Sequence, residues 1–388
     1  MTPRLPIYMD HNATTPVDKR VLAAMQPYFS EIFGNAASRG HTFGWDAEFA
    51  VDNGRKQVAA LINARPDAIV WTSGSTESNN LAIKGAAEAQ GHRGRHIITQ
   101  ATEHKAVLDT CKRLEKYGYD VTCLGVDRFG RIDLDEFRAA LRDDTILVSI
   151  MWANNEIGTI QDIKSIGQSC AERGVLFHTD ATQAAGKVPI DVEANHIDLL
   201  SMSAHKMYGP KGCGCLYVRN KPRKISLAPL FDGGGHEHGY RSGTLNVAGI
   251  VGFGKACELA AAEMTAESRR LANLRDRLQE GIIRHIDGVQ VNGYERCRLP
   301  HVTNLSFAGI DHDQLLGALP FVAASSGSAC TSASLEPSYV LKALGVPDAL
   351  AFSSLRFSLG RLNTQEHVDY VIDELSKALR GHRSADTR

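Results

Sequence analysis

Lys206 follows a strand-like run, Ile197 to Met202, and opens onto a Gly/Pro turn in SAHKMYGPKG. A lysine so placed can project into a cleft, where its amine can form a Schiff base with an aldehyde. Taken alone, it reads more simply as a solvated surface residue. A second segment changes the balance. HTDATQ puts Asp180 directly after a VLF run, at the carboxyl end of a strand, the side on which parallel sheets bind ligands. A carboxylate there can pair with the protonated pyridine nitrogen of an aldehyde-bearing cofactor; it can also simply cap a helix. A third segment, TSGSTESNN from Thr72, reads as a strand, a small-residue turn and a helix start. Free backbone N–H groups there, with the Ser75 and Thr76 hydroxyls, make a phosphate cradle, or else a capping box closed by Glu77 or Asn79.

Among the cysteines, Cys330 stands apart. It sits in ASSGSACTSAS, a stretch with neither helical nor strand periodicity and no bulky apolar residue. Such a stretch reads as an exposed, mobile loop whose thiol is free to react. Cys123, Cys213 and Cys215 fall on strand-like stretches, Cys111, Cys170 and Cys257 on helical patterns, and Cys297 in a polar turn before Pro300. Buried thiols of that kind are usually inert. The pairs Cys213/Cys215 and His236/His238 lack a matching second pair at zinc-site spacing, so no metal is assigned. The Gly233–Gly235 run is a flexible turn and not a nucleotide fingerprint.

The elements that must position these groups alternate in type. Strands are expected at Ala68–Thr72, His96–Thr99, Thr145–Met151 and Val175–His178, with helices at Glu77–Glu88, Lys105–Tyr117 and Asp162–Arg173. Short apolar strands alternating with helices indicate an α/β fold with a parallel sheet covered on both faces. After Gly254 the texture changes to a long charged helix, about Lys255–Ile286, then strands at Gly288–Asn292, Val302–Phe307 and Leu355–Leu359 and a helix at Asp311–Ala318. That pattern suggests a smaller α+β domain. The expected division is a large domain at 15–260, a small domain of 1–14 and 261–380 carrying the Cys330 loop, and a disordered polar tail at 381–388.

The chain has 388 residues, 43 Lys+Arg against 44 Asp+Glu and 43% hydrophobic residues. This length suggests two domains and allows a large core without disulfides or structural metals. The balanced charge gives no reason to expect a nucleic-acid or membrane surface. No signal sequence or run of about 18 apolar residues is visible. A cytoplasmic protein whose eight cysteines are thiols is therefore expected.

TSGSTESNNLAIKG, TEHKAVLDTC, WANNEIGT, HTDATQAAGK, SAHKMYGPKG and SSGSACTSASLEPSYVL occur in that order. Together they resemble the cysteine desulfurases of the housekeeping and nitrogen-fixation type. These are fold-type I pyridoxal-phosphate enzymes of the class V aminotransferase superfamily, with a mainly parallel seven-stranded sheet in the large domain. The resemblance runs from about Ile7 to Arg361 and implies pyridoxal 5'-phosphate as cofactor. By it, Lys206 carries the cofactor, Asp180 pairs with the ring nitrogen, and Gln183 contacts the ring hydroxyl. His104 stacks on the ring and shuttles protons, and Asn155 lies near the ring hydroxyl and the substrate. Ser75, Thr76, Ser203 and His205 hold the phosphate, and Thr244 reaches the phosphate of a partner subunit, which implies a homodimer. Arg356 clamps the substrate carboxylate, a role suited to a guanidinium fork. Without the resemblance, His104 reads as a helix-start or core residue, Asn155 as a turn residue and Arg356 as a solvent-facing strand residue.

The implied reaction converts L-cysteine to L-alanine with a persulfide on Cys330, later passed on by thiol attack. The relatives' C-terminal tail, which helps dock an iron–sulfur scaffold, extends beyond this chain's end. The acceptor stays open between such a scaffold, a tRNA-thiolation relay and a DNA-sulfur-modification protein. A related lyase such as a selenocysteine lyase, which needs no Cys330, and a sulfur-delivery scaffold valued for partner binding are the competing readings.

Overall fold

The computed structural model of the protein describes residues 4–222, 224–326 and 336–383. Its strands are β1 (Ile7–Tyr8), β2 (Ile69–Thr72), β3 (His96–Gln100), β4 (Asp120–Leu124), β5 (Thr145–Ser149), β6 (Leu176–Asp180), β7 (Leu199–Ser203) and β8 (Gly214–Val218), then β9 (Val289–Asn292), β10 (Val302–Phe307), β11 (Val322–Ala323), β12 (Ser325–Ser326) and β13 (Ser354–Ser358). The expected strands and helices of the first half therefore form, with ends displaced by a few residues.

A seven-stranded sheet runs in the order β2-β8-β7-β6-β5-β3-β4. β8 is antiparallel to both its neighbours, and the other pairs are parallel. Strands β2, β3, β5, β6, β7 and β8 are buried at every position, as expected of a sheet covered on both faces by helices. Edge strand β4 is more open, so Cys123 is exposed and not buried as its strand-like context suggested. Because β2, β3, β5, β6 and β7 run the same way, their carboxyl ends all open on one edge of the sheet.

The long helix begins at Val247 and ends at His285, eight residues earlier than its charged pattern suggested. The sequence there carries Gly249, Gly252 and Gly254, and each glycine costs an isolated helix about 1 kcal/mol. At Gly254 the reason is tertiary contact. A Cβ on Gly254 would lie 2.6 Å from the Gly54 Cα of the Thr42–Leu61 helix, so the two helices approach through their glycines. The first part of the long helix, including Ile250, Phe253 and Cys257, packs in the core against the large sheet. Its second part, Leu271 to Ile282, belongs to a separate core.

That second core includes Leu305, Leu355, Phe357 and Val371 and lies against a sheet of order β12-β13-β10-β9. β1 pairs in parallel with β11, which brings the chain's N-terminal segment to this region. The last helix, Gln365–Arg383, extends three residues into the stretch expected as a polar tail. Among the described residues no helix is long and apolar enough to cross a membrane.

Candidate active site

The carboxyl edge of the large sheet holds a cavity of about 550 Å³. A groove of about 600 Å³ lies elsewhere, between the long helix and the last one. Arg277 there pairs with Asp369, and the groove gathers no nucleophile. The sheet-edge cavity gathers Ser75, Thr76, His104, Asn155, Asp180, Gln183, Ser203, His205, Lys206 and Arg356, ten of the residues singled out by sequence. Thr244 is exposed and does not line it. Cys330 lies outside the described residues.

Each strand end supplies one part. After β2 the chain turns at Gly74, φ +155°, which caps the Ser75–Gln90 helix without a side-chain hydrogen bond. Glu77 Oε2 instead accepts from the Ser73 N–H at 2.8 Å and Glu77 Oε1 from Arg241 at 2.9 Å. The capping-box alternative is therefore absent, and the helix N-terminus opens on the cavity. A Cβ on Gly214 would come within 2.5 Å of the Gly74 Cα, so a glycine at 214 permits the close passage of these two turns. Thr182 Oγ1 and Ser75 Oγ share a 2.6 Å hydrogen bond, linking the cradle to the end of β6.

Asp180, 5% exposed, ends β6 with both oxygens fixed. Oδ2 accepts from Asn79 Nδ2 at 2.7 Å, and Oδ1 accepts from the Thr182 N–H at 3.0 Å and from the Thr182 hydroxyl. Lys206 follows β7 in a short 3₁₀ turn. Its Nζ donates to the carbonyls of Asn12 at 2.5 Å and Ala13 at 2.7 Å. His104 follows β3 and caps the Lys105–Glu115 helix, its Nδ1 accepting from the Ala106 N–H at 3.1 Å. In the neutral ring the proton is thereby assigned to Nε2. His104 thus starts a helix and also lines the cavity.

Arg356 comes from β13 of the second sheet and is buried, not solvent-facing. Its Nη2 meets Asp10 Oδ1 at 2.6 Å, and Nη1 donates to the Asn155 carbonyl at 2.9 Å. The Asn155 Oδ1 is a buried acceptor with no hydrogen-bond partner among the described residues.

Asn12 is the residue that sequence reasoning missed. Its carbonyl accepts from Lys206 and, at 3.0 Å, from Gln183 Nε2. Its side chain donates to the Asn155 carbonyl at 2.9 Å and bonds His301 Nε2 at 2.7 Å. Thr14 joins it by a 3.1 Å contact to His205 Nδ1. The only local signal was a polar stretch, DHNATT, directly after an apolar strand.

His11, His178 and His301 are buried and His205 is half-buried. His178 lies between Ser149 Oγ at 2.8 Å and Ser201 Oγ at 3.0 Å, and burial pulls it down to about 4. Burial likewise lowers His11 and His205 to about 4 and carries His301 well below its ordinary value. Each stays neutral in the fold while an unfolded copy binds a proton below 6.5, so each loses stability as pH falls from there toward 4. Burial raises Glu156 to about 7 and Glu103 well above 4.5, which acts in the opposite sense. The histidines outnumber these carboxyls, so the thermal unfolding midpoint is expected to rise between about pH 4.5 and 6.5. Calorimetry across that range checks this; a midpoint falling with pH there contradicts it.

The description of the aminotransferase class-V family matches residues 7–371. A cysteine desulfurase IscS of Anaeromyxobacter sp. (strain Fw109-5) is 58% identical over 369 residues, covering 95% of this chain and 91% of that protein. A solved NifS-like protein superposes with a TM-score of 0.88 at 37% identity, over 97% of this chain and all of the other. A structure described as SspA in complex with cysteine gives a TM-score of 0.82 at 39% identity, over 91% and 98% of the two chains.

Proposed function

The chain belongs to the aminotransferase class-V family and is a cysteine desulfurase, and from that premise we propose that the sheet-edge cavity holds pyridoxal 5'-phosphate and that Cys330 takes the sulfur of L-cysteine. One observation carries the reading: Lys206, Asp180, an uncapped helix N-terminus and Arg356 converge on a single cavity. The donor set suits the cofactor. A primary amine is available for its aldehyde, a carboxylate with both oxygens fixed for its ring nitrogen, and hydroxyls with helix N–H groups for its phosphate. The buried Asn155 Oδ1 supplies an acceptor for the ring hydroxyl, beside Gln183.

When bound, the cofactor supplies an electron sink that weakens the bonds at the substrate's Cα and Cβ. The chain's own groups do the rest. Ser75, Thr76, Ser203 and His205 anchor the phosphate. Asp180 holds the ring nitrogen in its protonated form, and Asn79 and Thr182 fix the carboxylate that does so. Arg356 receives the substrate carboxylate, and the Asn155 carbonyl and Asp10 orient its guanidinium for that task. Lys206 moves the proton at Cα. His104 presents Nε2 for proton exchange, since Nδ1 is engaged by the helix it caps.

The Cys330 thiolate attacks the substrate sulfur, the substrate C–S bond breaks, and its electron pair is taken up at Cβ by a proton. Overall, a thiol and L-cysteine become a persulfide and L-alanine, with no external oxidant or reductant. The persulfide then passes to a protein thiol by exchange, on an iron–sulfur scaffold, a thiolation relay or another sulfur-modification partner. Thiols in this chemistry call for a reducing compartment, which supports a cytoplasmic setting. A homodimer is part of the reading. Phe29, Phe43, Trp45 and Phe49 on two successive helices, and Phe33 between those helices with its ring 5.4 Å from that of Phe43, are all at least 50% exposed, a group of a kind that usually marks an interface. In that dimer Thr244 serves the partner's phosphate site. A division into a large and a small domain at about residue 260 is part of the same reading, with Lys206 in the large domain and Arg356 in the small one.

Incubating the purified protein with L-cysteine and a dithiol is expected to yield alanine and sulfide in equal amounts. Pyruvate and ammonia in place of alanine would show an elimination and overturn the assignment of Cys330.

A further inference from the structure

Cys330 itself is not described, but the chain on both sides of it is. Before it, β12 pairs with β13 so that Ser325 lies opposite Arg356. Cys330 follows Ser325 by five residues, so it cannot be farther than about 18 Å from it along the chain. After it, the chain is tied down at Ser338 and Tyr339, which begin the short Tyr339–Ala343 helix.

Ser338 is buried and caps this helix, accepting from the Leu341 N–H at 3.3 Å. Its hydroxyl also donates to Glu156 Oε2 at 2.5 Å. Glu156 directly follows Asn155 and is held by its own neighbours: its N–H donates to Asn154 Oδ1 at 2.8 Å, and its carbonyl accepts from Asn304 at 3.3 Å. The Tyr339 hydroxyl donates to the Glu103 carbonyl at 2.6 Å, and the Lys105 ammonium lies 4.5 Å from the centre of its ring. Glu103 and Lys105 bracket His104. The Glu103 carboxylate is in turn fixed by the Met151 N–H at 2.5 Å and by Gln100 at 3.0 Å.

An ordinary helix start needs only the Ser338–Leu341 contact. Val340, Leu341 and Leu344 already pack on Ile157 in an apolar cluster of their own, which suffices to dock the helix. Burial raises the Glu156 carboxyl to about 7, and the Ser338 hydrogen bond offsets part of that rise. Directional polar contacts placed beside apolar packing that already holds the helix are suited to fixing orientation.

We propose that Ser338 and Tyr339 are positioning residues for the nucleophile, tying the chain that leaves Cys330 to the two turns that carry Asn155 and His104. The thiol then works from a base registered on the groups that hold the ring and the substrate. Neither residue lines the cavity, so cysteine binding does not depend on them; only the sulfur-transfer step does. This rests on Cys330 being the nucleophile.

The test compares Tyr339→Phe and Ser338→Ala, loaded with cofactor, in steady-state kinetics, in rapid-quench mass spectrometry of the Cys330 persulfide, and in thermal unfolding. Loss of one buried hydrogen bond is expected to slow kcat and persulfide formation together, roughly five- to tenfold, with KM within about twofold and Ser338→Thr restoring the rate. Unchanged persulfide formation, or kcat and KM worsening together with a lowered unfolding midpoint, overturns the proposal. Cys330→Ser runs beside them. If that variant turns over normally, the nucleophile assignment has failed and the proposal with it. If it is inactive while Tyr339→Phe is normal, only the positioning role has failed.

Discussion

The Cys330→Ser protein, folded and loaded with cofactor, is expected to release no alanine from L-cysteine above background, a loss of at least about 10³-fold. The reason is chemical. Sulfur must leave the substrate toward a nucleophile, and a thiolate is far better at sulfur than a hydroxyl. An ordinary thiol is already a few per cent ionised at neutral pH, whereas a serine hydroxyl is not. The other cysteines cannot stand in. Cys111, Cys170, Cys213, Cys215 and Cys257 are buried, and burial raises all of their thiols. Cys123 and Cys297 are exposed, but neither lines the cavity. The variant is expected to bind cysteine with unchanged affinity, because Arg356 and the cofactor cradle are intact. Alanine release at the wild-type rate would identify a lyase that expels sulfur without a protein nucleophile.

Lys206→Ala is expected to abolish turnover by at least about 10⁴-fold, through loss of both covalent tethering and proton transfer. Borohydride reduction of the loaded wild-type protein is expected to fix one pyridoxyl group on the peptide containing Lys206; the variant takes none. Its fold is expected to survive, since Lys206 is partly exposed and its Nζ donates to backbone carbonyls at the cavity wall. Circular dichroism separates loss of chemistry from loss of structure. Added small amines should restore part of the activity by supplying a base in the space left by the side chain. A label on another lysine, or turnover persisting in the variant, would remove Lys206 from its assigned role.

Both expectations start from segments legible in the chain alone. Asp180 and Lys206 were found because each ends an apolar run and meets a turn, a pattern a few residues long. His104 and Asn155 are different. Each reads locally as a cap or a turn residue, and only the family resemblance singled them out. For Arg356 the local reading was misleading: alternation in LRFSL suggested a solvent-facing side chain, yet β13 is buried throughout because β10 and β12 flank it and the N-terminal segment covers it.

What the sequence determined by itself is the order of strands and helices, the places where apolar runs give way to turns, and the types of reactive group set there. These are local properties, decided by neighbours within one or two turns of chain. What only the tertiary structure decided is which groups meet. Arg356 finds Asp10 across 346 residues, and Lys206 finds Asn12 across 194. Gly254 of the long helix is explained only by the helix lying against it. No periodicity encodes such contacts, because they follow from how completed elements pack: parallel strands turn one set of ends to the same edge, and the first residues of the chain are carried across it by pairing with β11.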